Sequence, residues 1–98
     1  MPRVIWSDAS RRDLRNIDDF ISSDDAAAAL GVLRRIRRSA ALLEQFPAIG
    51  PILQGEQRYL SVRSTPYVIV YRIDNARIEV IRVRHAREDW FPDDRDCV

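Results

Sequence analysis

His85 is the one histidine in a chain of 98 residues, and five arginines stand in its segment or around an earlier strand-like run. Arg82, Arg84 and Arg87 share its segment, I-R-V-R-H-A-R, while Arg58 and Arg63 flank an earlier run of alternating residues. An imidazole can give or take a proton near neutral pH, and guanidinium forks can ground the oxygens of a phosphate around it. That combination suits proton transfer beside a phosphodiester, or the binding of an anionic surface with no chemistry at all. The plainer alternative is that His85, next to the apolar Val83 at a strand end, is a hydrogen-bonded structural residue.

All sixteen basic residues are arginine and none is lysine. Every cation is therefore a planar fork matched to carboxylate or phosphate, although a genomic bias toward arginine codons would leave the same mark. The net charge of +1 is far from that of a general nucleic-acid binder. Its distribution is uneven: seven arginines lie from Arg58 to Arg87, against Asp74 and Glu79. A second basic cluster, Arg34, Arg35 and Arg38, falls in a helical segment and offers a surface for an acidic partner.

The elements that must position these residues follow from periodicity. Tyr67 to Ile73 is apolar at six of seven positions, which suits a central strand. The turn formers Asp74 and Asn75 then lead into Ile78 to His85, so the two runs predict a β-hairpin with Arg82 and Arg84 on one face and Ile81, Val83 and His85 on the other. Arg58 to Arg63 alternates, with Leu60 and Val62 facing one way, and Ser64-Thr65-Pro66 turns it into the central strand.

Upstream, Val4-Ile5-Trp6 reads as a short strand that hands over to a helix at the capping residues Ser7 and Asp8. Leu14, Ile17, Phe20 and Ile21 recur at helical spacing after Ala9. Ser22-Ser23-Asp24 ends that helix, and a second is predicted from Asp25 to Phe46, with Leu30, Leu33, Ile36, Ala40 and Leu43 on its packed arc. So short a turn makes the two an antiparallel αα-hairpin. In F-P-A-I-G-P-I-L-Q-G the prolines and glycines predict an irregular connector. The expected class is α+β, in the order β-α-α-β-β-β, the last three strands forming an antiparallel meander.

Two charges fall where the helical pattern calls for apolar side chains. Asp13 projects between Ile17 and Phe20, and Arg37 projects into the arc of Leu30 and Leu33. An unpaired charge on a packed face is costly, so the expectation is a structural ion pair between Asp13 and Arg37, or Arg34.

Length and composition bound the rest. Residues 1–98 are expected to form one domain, since 46% hydrophobic content supports one modest core and not two. The opening M-P-R-V-I-W-S-D has no signal-peptide core and no run is long enough to span a bilayer, which points to the cytoplasm. Cys97 stands alone in a polar tail of about residues 92–98, expected to fray, so neither a disulfide nor a zinc site is expected and no cofactor or metal is called for.

Five pieces in register, R-V-I-W-S-x-x-A-x-x-D-L-x-x-I, F-P-A-I-G, Y-V-I-V-Y-R-I, I-R-V-R-H-A-R-E-D-W and the order of elements, resemble the ParE/RelE toxin superfamily from Arg3 to Trp90. The resemblance implies the toxin of a bacterial type II toxin–antitoxin pair, of the kind that stabilises plasmids, with a small cognate antitoxin carrying an acidic tail as its partner. It leaves two activities open: RelE-like members cut mRNA on the ribosome, and ParE-like members poison DNA gyrase without being nucleases. A non-toxic binding module on the same fold is a third possibility. His85 aligns with a histidine used by some of the ribosome-dependent nucleases, which would make it catalytic under that reading. Against this, Val68 occupies the position of a catalytic arginine, and Tyr59 and Ser61 stand where RelE has basic residues. The H-A-R-E-D-W ending is nearer ParE, so gyrase inhibition is the expected activity. Arg58, Arg63, Arg82, Arg84 and Arg87 are then the expected contacts to target or phosphate, and Arg34, Arg35 and Arg38 those to the antitoxin.

Overall fold

The computed structural model describes residues 3–87. Its elements are β1 (Arg3–Trp6), α1 (Asp8–Ser22), α2 (Ala26–Leu42), β2 (Ile52–Gln54), β3 (Gln57–Ser61), β4 (Tyr67–Asp74) and β5 (Arg77–His85). They form one mixed sheet in the order β1-β5-β4-β3-β2, in which β1 runs parallel to β5 and the other pairs are antiparallel. The strand, helical hairpin and antiparallel meander expected from the sequence are all present.

Local chemistry sets the boundaries. Ser7 is extended and accepts the Ser10 N–H at 3.0 Å, closing the first turn of α1, while Asp25 does the same for Ala28 at 3.1 Å and starts α2. Asn75, at φ 56°, supplies the left-handed residue that a two-residue hairpin between β4 and β5 requires. Ser64 is also left-handed, and Thr65 closes the β3–β4 turn by donating to the Val62 carbonyl at 2.9 Å and accepting the Tyr67 N–H at 3.1 Å.

Three expectations are corrected. The connector is not wholly irregular: Gly55, at φ +55°, allows Ile52–Gln54 to fold back on β3, so the meander gains a fourth, three-residue strand. The second helix ends at Leu42 rather than Phe46, with its terminal carbonyls taken by tight turns through Gln45 and Phe46. Its buried positions are Ala29, Ile36 and Ala40, followed by Leu43 just past the helix, while Leu30 is 52% exposed; on α1, Phe20 is 76% exposed. A stripe spaced 29, 33, 36, 40, 43 faces the sheet, and Leu30, one residue off it, is turned away.

The core lies between the helical hairpin and one face of the sheet. Ile17, Ile36, Ala40 and Leu43 meet Tyr67, Ile69 and Tyr71 of β4 and Ile78, Val80 and Val83 of β5. Residues directly opposite in an antiparallel pair share a face, as Ile69 with Val83 and Tyr71 with Val80 do here. Two residues three apart on one strand can both point inward only if an extra residue intervenes. Ile81 is that residue, because Tyr71 pairs with Val80 and Val70 already pairs with Arg82.

The bulge falls where β1 gives out. Trp6 is opposite Val80, and Ser7 then donates its N–H to the Val80 carbonyl at 3.1 Å and its hydroxyl to the Ile81 carbonyl at 2.8 Å. Beyond that point no strand among the described residues lies beside the outer edge of β5, which places Arg82 to His85 where a site can form. The expected tail, with Cys97, lies outside the described residues.

Candidate functional site

The expected pair between Asp13 and Arg37 does not form. Asp13 turns toward the open edge of β5, where its carboxylate accepts from Arg82 Nε at 2.8 Å, from Arg82 Nη2 at 2.9 Å and from the Val83 backbone N–H at 2.9 Å. The carboxylate stands in for the strand that β1 does not provide, and the Arg82 fork neutralises it. Asp13 is buried to 11% side-chain exposure whereas Arg82 keeps 41%. Arg37 is exposed on α2, as is Arg34, so neither needs a buried counterion.

His85 ends β5 directly opposite Tyr67. Its ring meets the Tyr67 ring edge-on, with centroids 5.5 Å apart and planes at 81°. Nδ1 accepts the Arg87 N–H at 3.1 Å, an arrangement that uses the Nδ1 lone pair and leaves the proton of a neutral ring on Nε2. A cleft of about 220 Å³ brings His85 together with Asp13, Tyr67, Arg82 and Arg84. Two of the expected cations therefore surround the histidine, one of them already engaged by Asp13. Val68, opposite Arg84, is buried, so the central strand presents no charge there. Arg87 is exposed at the end of the described chain.

Arg58 is not part of this cleft. Its Nη1 donates to the Gly50 carbonyl at 2.8 Å and to the Ala48 carbonyl at 3.4 Å, holding the connector against β3. Tyr71 completes that clamp from below: its hydroxyl donates to the Pro47 carbonyl at 2.8 Å and accepts the Gly50 N–H at 3.0 Å. Burial pushes the Tyr71 hydroxyl above its ordinary value, opposed in part by the Gly50 N–H and the Arg58 charge. Gly50 has room for no side chain, since a Cβ would run into the Tyr59 carbonyl and sit 2.8 Å from the Tyr71 hydroxyl. The F-P-A-I-G segment and the second tyrosine of Y-V-I-V-Y-R-I, Tyr71, are thus one structural unit.

Arg63 lies elsewhere again, with two of the helix arginines. Arg35, Arg38 and Arg63 rim a groove of about 380 Å³ whose floor includes Leu42 and Leu60. Exposed apolar side chains continue from it along the chain, at Leu42, Phe46, Ile49 and Ile52. Arg34 is outside the groove lining. The candidate residues thus separate into a histidine cleft, a connector clamp and an arginine-rimmed apolar groove.

Sequence reasoning missed the roles of Tyr71 and Gly50, and of Ser7 it read the helix cap but not the bond from its hydroxyl to the Ile81 carbonyl. A tyrosine amid valines and isoleucines on a central strand was the available signal, because a buried hydroxyl must find a partner. Among the described residues no group of three or more His, Cys, Asp or Glu side chains could hold a metal, and no helix is long and apolar enough to cross a membrane.

Comparison with known proteins adds four findings. The family described as the ParE toxin of the type II toxin–antitoxin system parDE matches residues 4–90. The protein Y4kP of Sinorhizobium fredii, classed by its name as a toxin, is 35% identical over 89 residues, covering 90% of this chain and 92% of that one. Toxin RelE2 of Caulobacter vibrioides is 31% identical over 86 residues, covering 88% and 97%. Among solved structures, a chain of the chromosomal ParDE TA system from P. aeruginosa shares the fold, with a TM-score of 0.74 at 20% identity over 87% of this chain and 95% of that one.

Proposed function

The chain belongs to the ParE toxin family of type II toxin–antitoxin systems, and on that premise we propose that it arrests growth by binding DNA gyrase, without cutting RNA, until a cognate antitoxin neutralises it. The observation that carries the reading is the engagement of Arg82 by Asp13, with N–O distances of 2.8 and 2.9 Å. Cleavage of an RNA backbone needs cations ready to take the charge that develops on the phosphorane. Here one of the two arginines lining the histidine cleft is bound bidentately, and Arg58, two strands away on β3, is bound to backbone carbonyls of the connector. The imidazole accepts a backbone N–H at Nδ1, as a structural histidine does. Binding a protein surface makes none of these demands.

Neutralisation fits the arginine-rimmed groove. An antitoxin tail that folds on binding would lay apolar anchors on Leu42 and Leu60 and carboxylates on Arg35, Arg38 and Arg63. Arg34 and Arg87, exposed nearby on α2 and after β5, would add charge steering rather than fixed contacts.

One observation favours a second reading. His85, Arg82 and Arg84 share a cleft, and a relative bears the name Toxin RelE2, so ribosome-dependent mRNA cleavage is the alternative. A non-toxic binding module is the third. Induced expression without antitoxin separates them: filamentation with DNA-damage signalling supports gyrase inhibition, immediate translation arrest supports the nuclease, and normal growth supports the module.

A further inference from the structure

A second arginine cluster lies away from both the cleft and the groove, around Trp6. This pocket of about 300 Å³ is lined by Trp6 from β1, by Arg11, Leu14 and Arg15 from α1, and by Arg37 from α2. Arg11, Leu14 and Arg15 fall at i, i+3 and i+4, so one helix face presents all three. Trp6 and Leu14 are half-buried and form an apolar wall, while the three arginines are exposed. None of the three makes an ion pair among the described residues; Asp18, one turn beyond Arg15, is not within pairing distance of it.

Three unneutralised guanidinium groups around one small pocket repel one another, and an anion seated among them relieves that repulsion. The anion's type follows from the count and the wall. A carboxylate has two oxygens and one charge, whereas a terminal phosphate has three oxygens and up to two charges, enough for three forks. An inorganic phosphate would leave the indole and Leu14 unused; a ligand carrying a flat ring beside its phosphate would use them, since nucleobases stack on tryptophan. The volume is at the lower end of small-ligand pockets and suits one nucleotide.

We propose that the Trp6, Arg11, Arg15 and Arg37 pocket binds a nucleoside monophosphate, with the base against Trp6 and the phosphate among the three arginines. The unit has two possible sources: a free mononucleotide, or the phosphorylated end of a nucleic-acid strand. The inference does not depend on which target the toxin inhibits.

Equilibrium dialysis of the full chain against labelled AMP tests it. Saturable binding is expected, with adenosine and inorganic phosphate each at least about tenfold weaker as competitors, because each keeps only half of the contacts. Arg37→Gln and Arg11→Gln, both exposed, should each weaken AMP by about tenfold while leaving the melting temperature unchanged. In a Trp90→Phe background the remaining indole, Trp6, should be quenched by AMP and not by phosphate. Displacement of AMP by a 5′-phosphorylated short oligonucleotide, but not by its 5′-hydroxyl form, assigns the strand end; failure of both to displace it assigns the free nucleotide. Absence of saturable AMP binding overturns the proposal, as does phosphate binding as tightly as AMP. An acidic peptide that displaces AMP at equal concentration would overturn it too, and would identify a protein-binding patch instead.

Discussion

Asp13 and Arg82 are 69 residues apart in sequence and meet through two charge-assisted hydrogen bonds, while the same carboxylate caps the Val83 N–H. One acid thus ties α1 to β5 just beyond the point where β1 ends.

That geometry predicts an order of stabilities. Asp13→Ala leaves the Val83 N–H without its acceptor and Arg82 without its partner, and should cost about 2 kcal/mol, the range for hydrogen bonds to charged groups. Arg82→Gln should cost less, under about 1 kcal/mol, because Arg82 is 41% exposed and the bond from Val83 to Asp13 survives. Thermal or urea melts of the two variants check the order, and an Arg82 variant less stable than the Asp13 variant would contradict it.

A second prediction concerns the connector. Gly50→Ala must displace the Tyr59 carbonyl or the Tyr71 hydroxyl, and should destabilise by about 2–3 kcal/mol, the range for overpacking a tight site. Gly55→Ala is a useful control: no atom lies near a Cβ there, and the cost is only that of a left-handed alanine, about 1 kcal/mol. Equal effects from the two substitutions would show that Gly50 is not clamped.

The third is a pH dependence. The Tyr71 hydroxyl has a raised pKa in the fold, chiefly through burial, so the folded state holds that proton more tightly than the unfolded chain does. Its contribution to stability is fully present below about pH 10 and is lost as the pH climbs through the folded-state value. Melting temperatures measured from pH 8 upward should therefore fall more steeply above pH 10 in the parent than in Tyr71→Phe. Parallel curves would mean that Tyr71 does not titrate differently in the fold.

Much of this architecture was legible in the chain, and the exceptions have physical causes. Ser7 announced the start of α1 because capping is a local interaction, while the cap of α2 is Asp25, one residue beyond the Ser22-Ser23-Asp24 stretch read as the break. The pairing of β4 with β5 was readable because Asn75 sits between two β-branched runs. Asp13 could be recognised as a polar residue on an apolar face, but not its partner, because helical phase says nothing about which strand edge the face meets. The bulge at Ile81 left a mark that was passed over: the alternation in R-I-E-V-I-R-V-R-H slips one phase at the adjacent apolar pair Val80 and Ile81, and the end of β1 at Trp6 explains its place. Arg58 and Arg63, read from the sequence as one basic surface, end up in different units because one clamps the connector and the other reaches the α2 groove.

For the histidine, the proposed reading predicts that a folded His85→Phe variant stays toxic. Phenylalanine keeps the edge contact with Tyr67 and removes both ring nitrogens, and with them the bond from the Arg87 N–H and any proton-transfer chemistry. Growth after induction without antitoxin measures it. Under a nuclease mechanism activity should instead fall by roughly 10²–10⁴-fold, the range for general acid–base catalysis.

The most direct measurement is DNA supercoiling by purified gyrase with increasing amounts of the purified toxin, run beside programmed ribosomes exposed to the same preparation. Gyrase inhibition that is equal for the parent and His85→Ala, with the ribosome-bound mRNA intact, is the result expected. Unaffected supercoiling together with mRNA cuts that disappear in His85→Ala would contradict inhibition by binding and establish the nuclease.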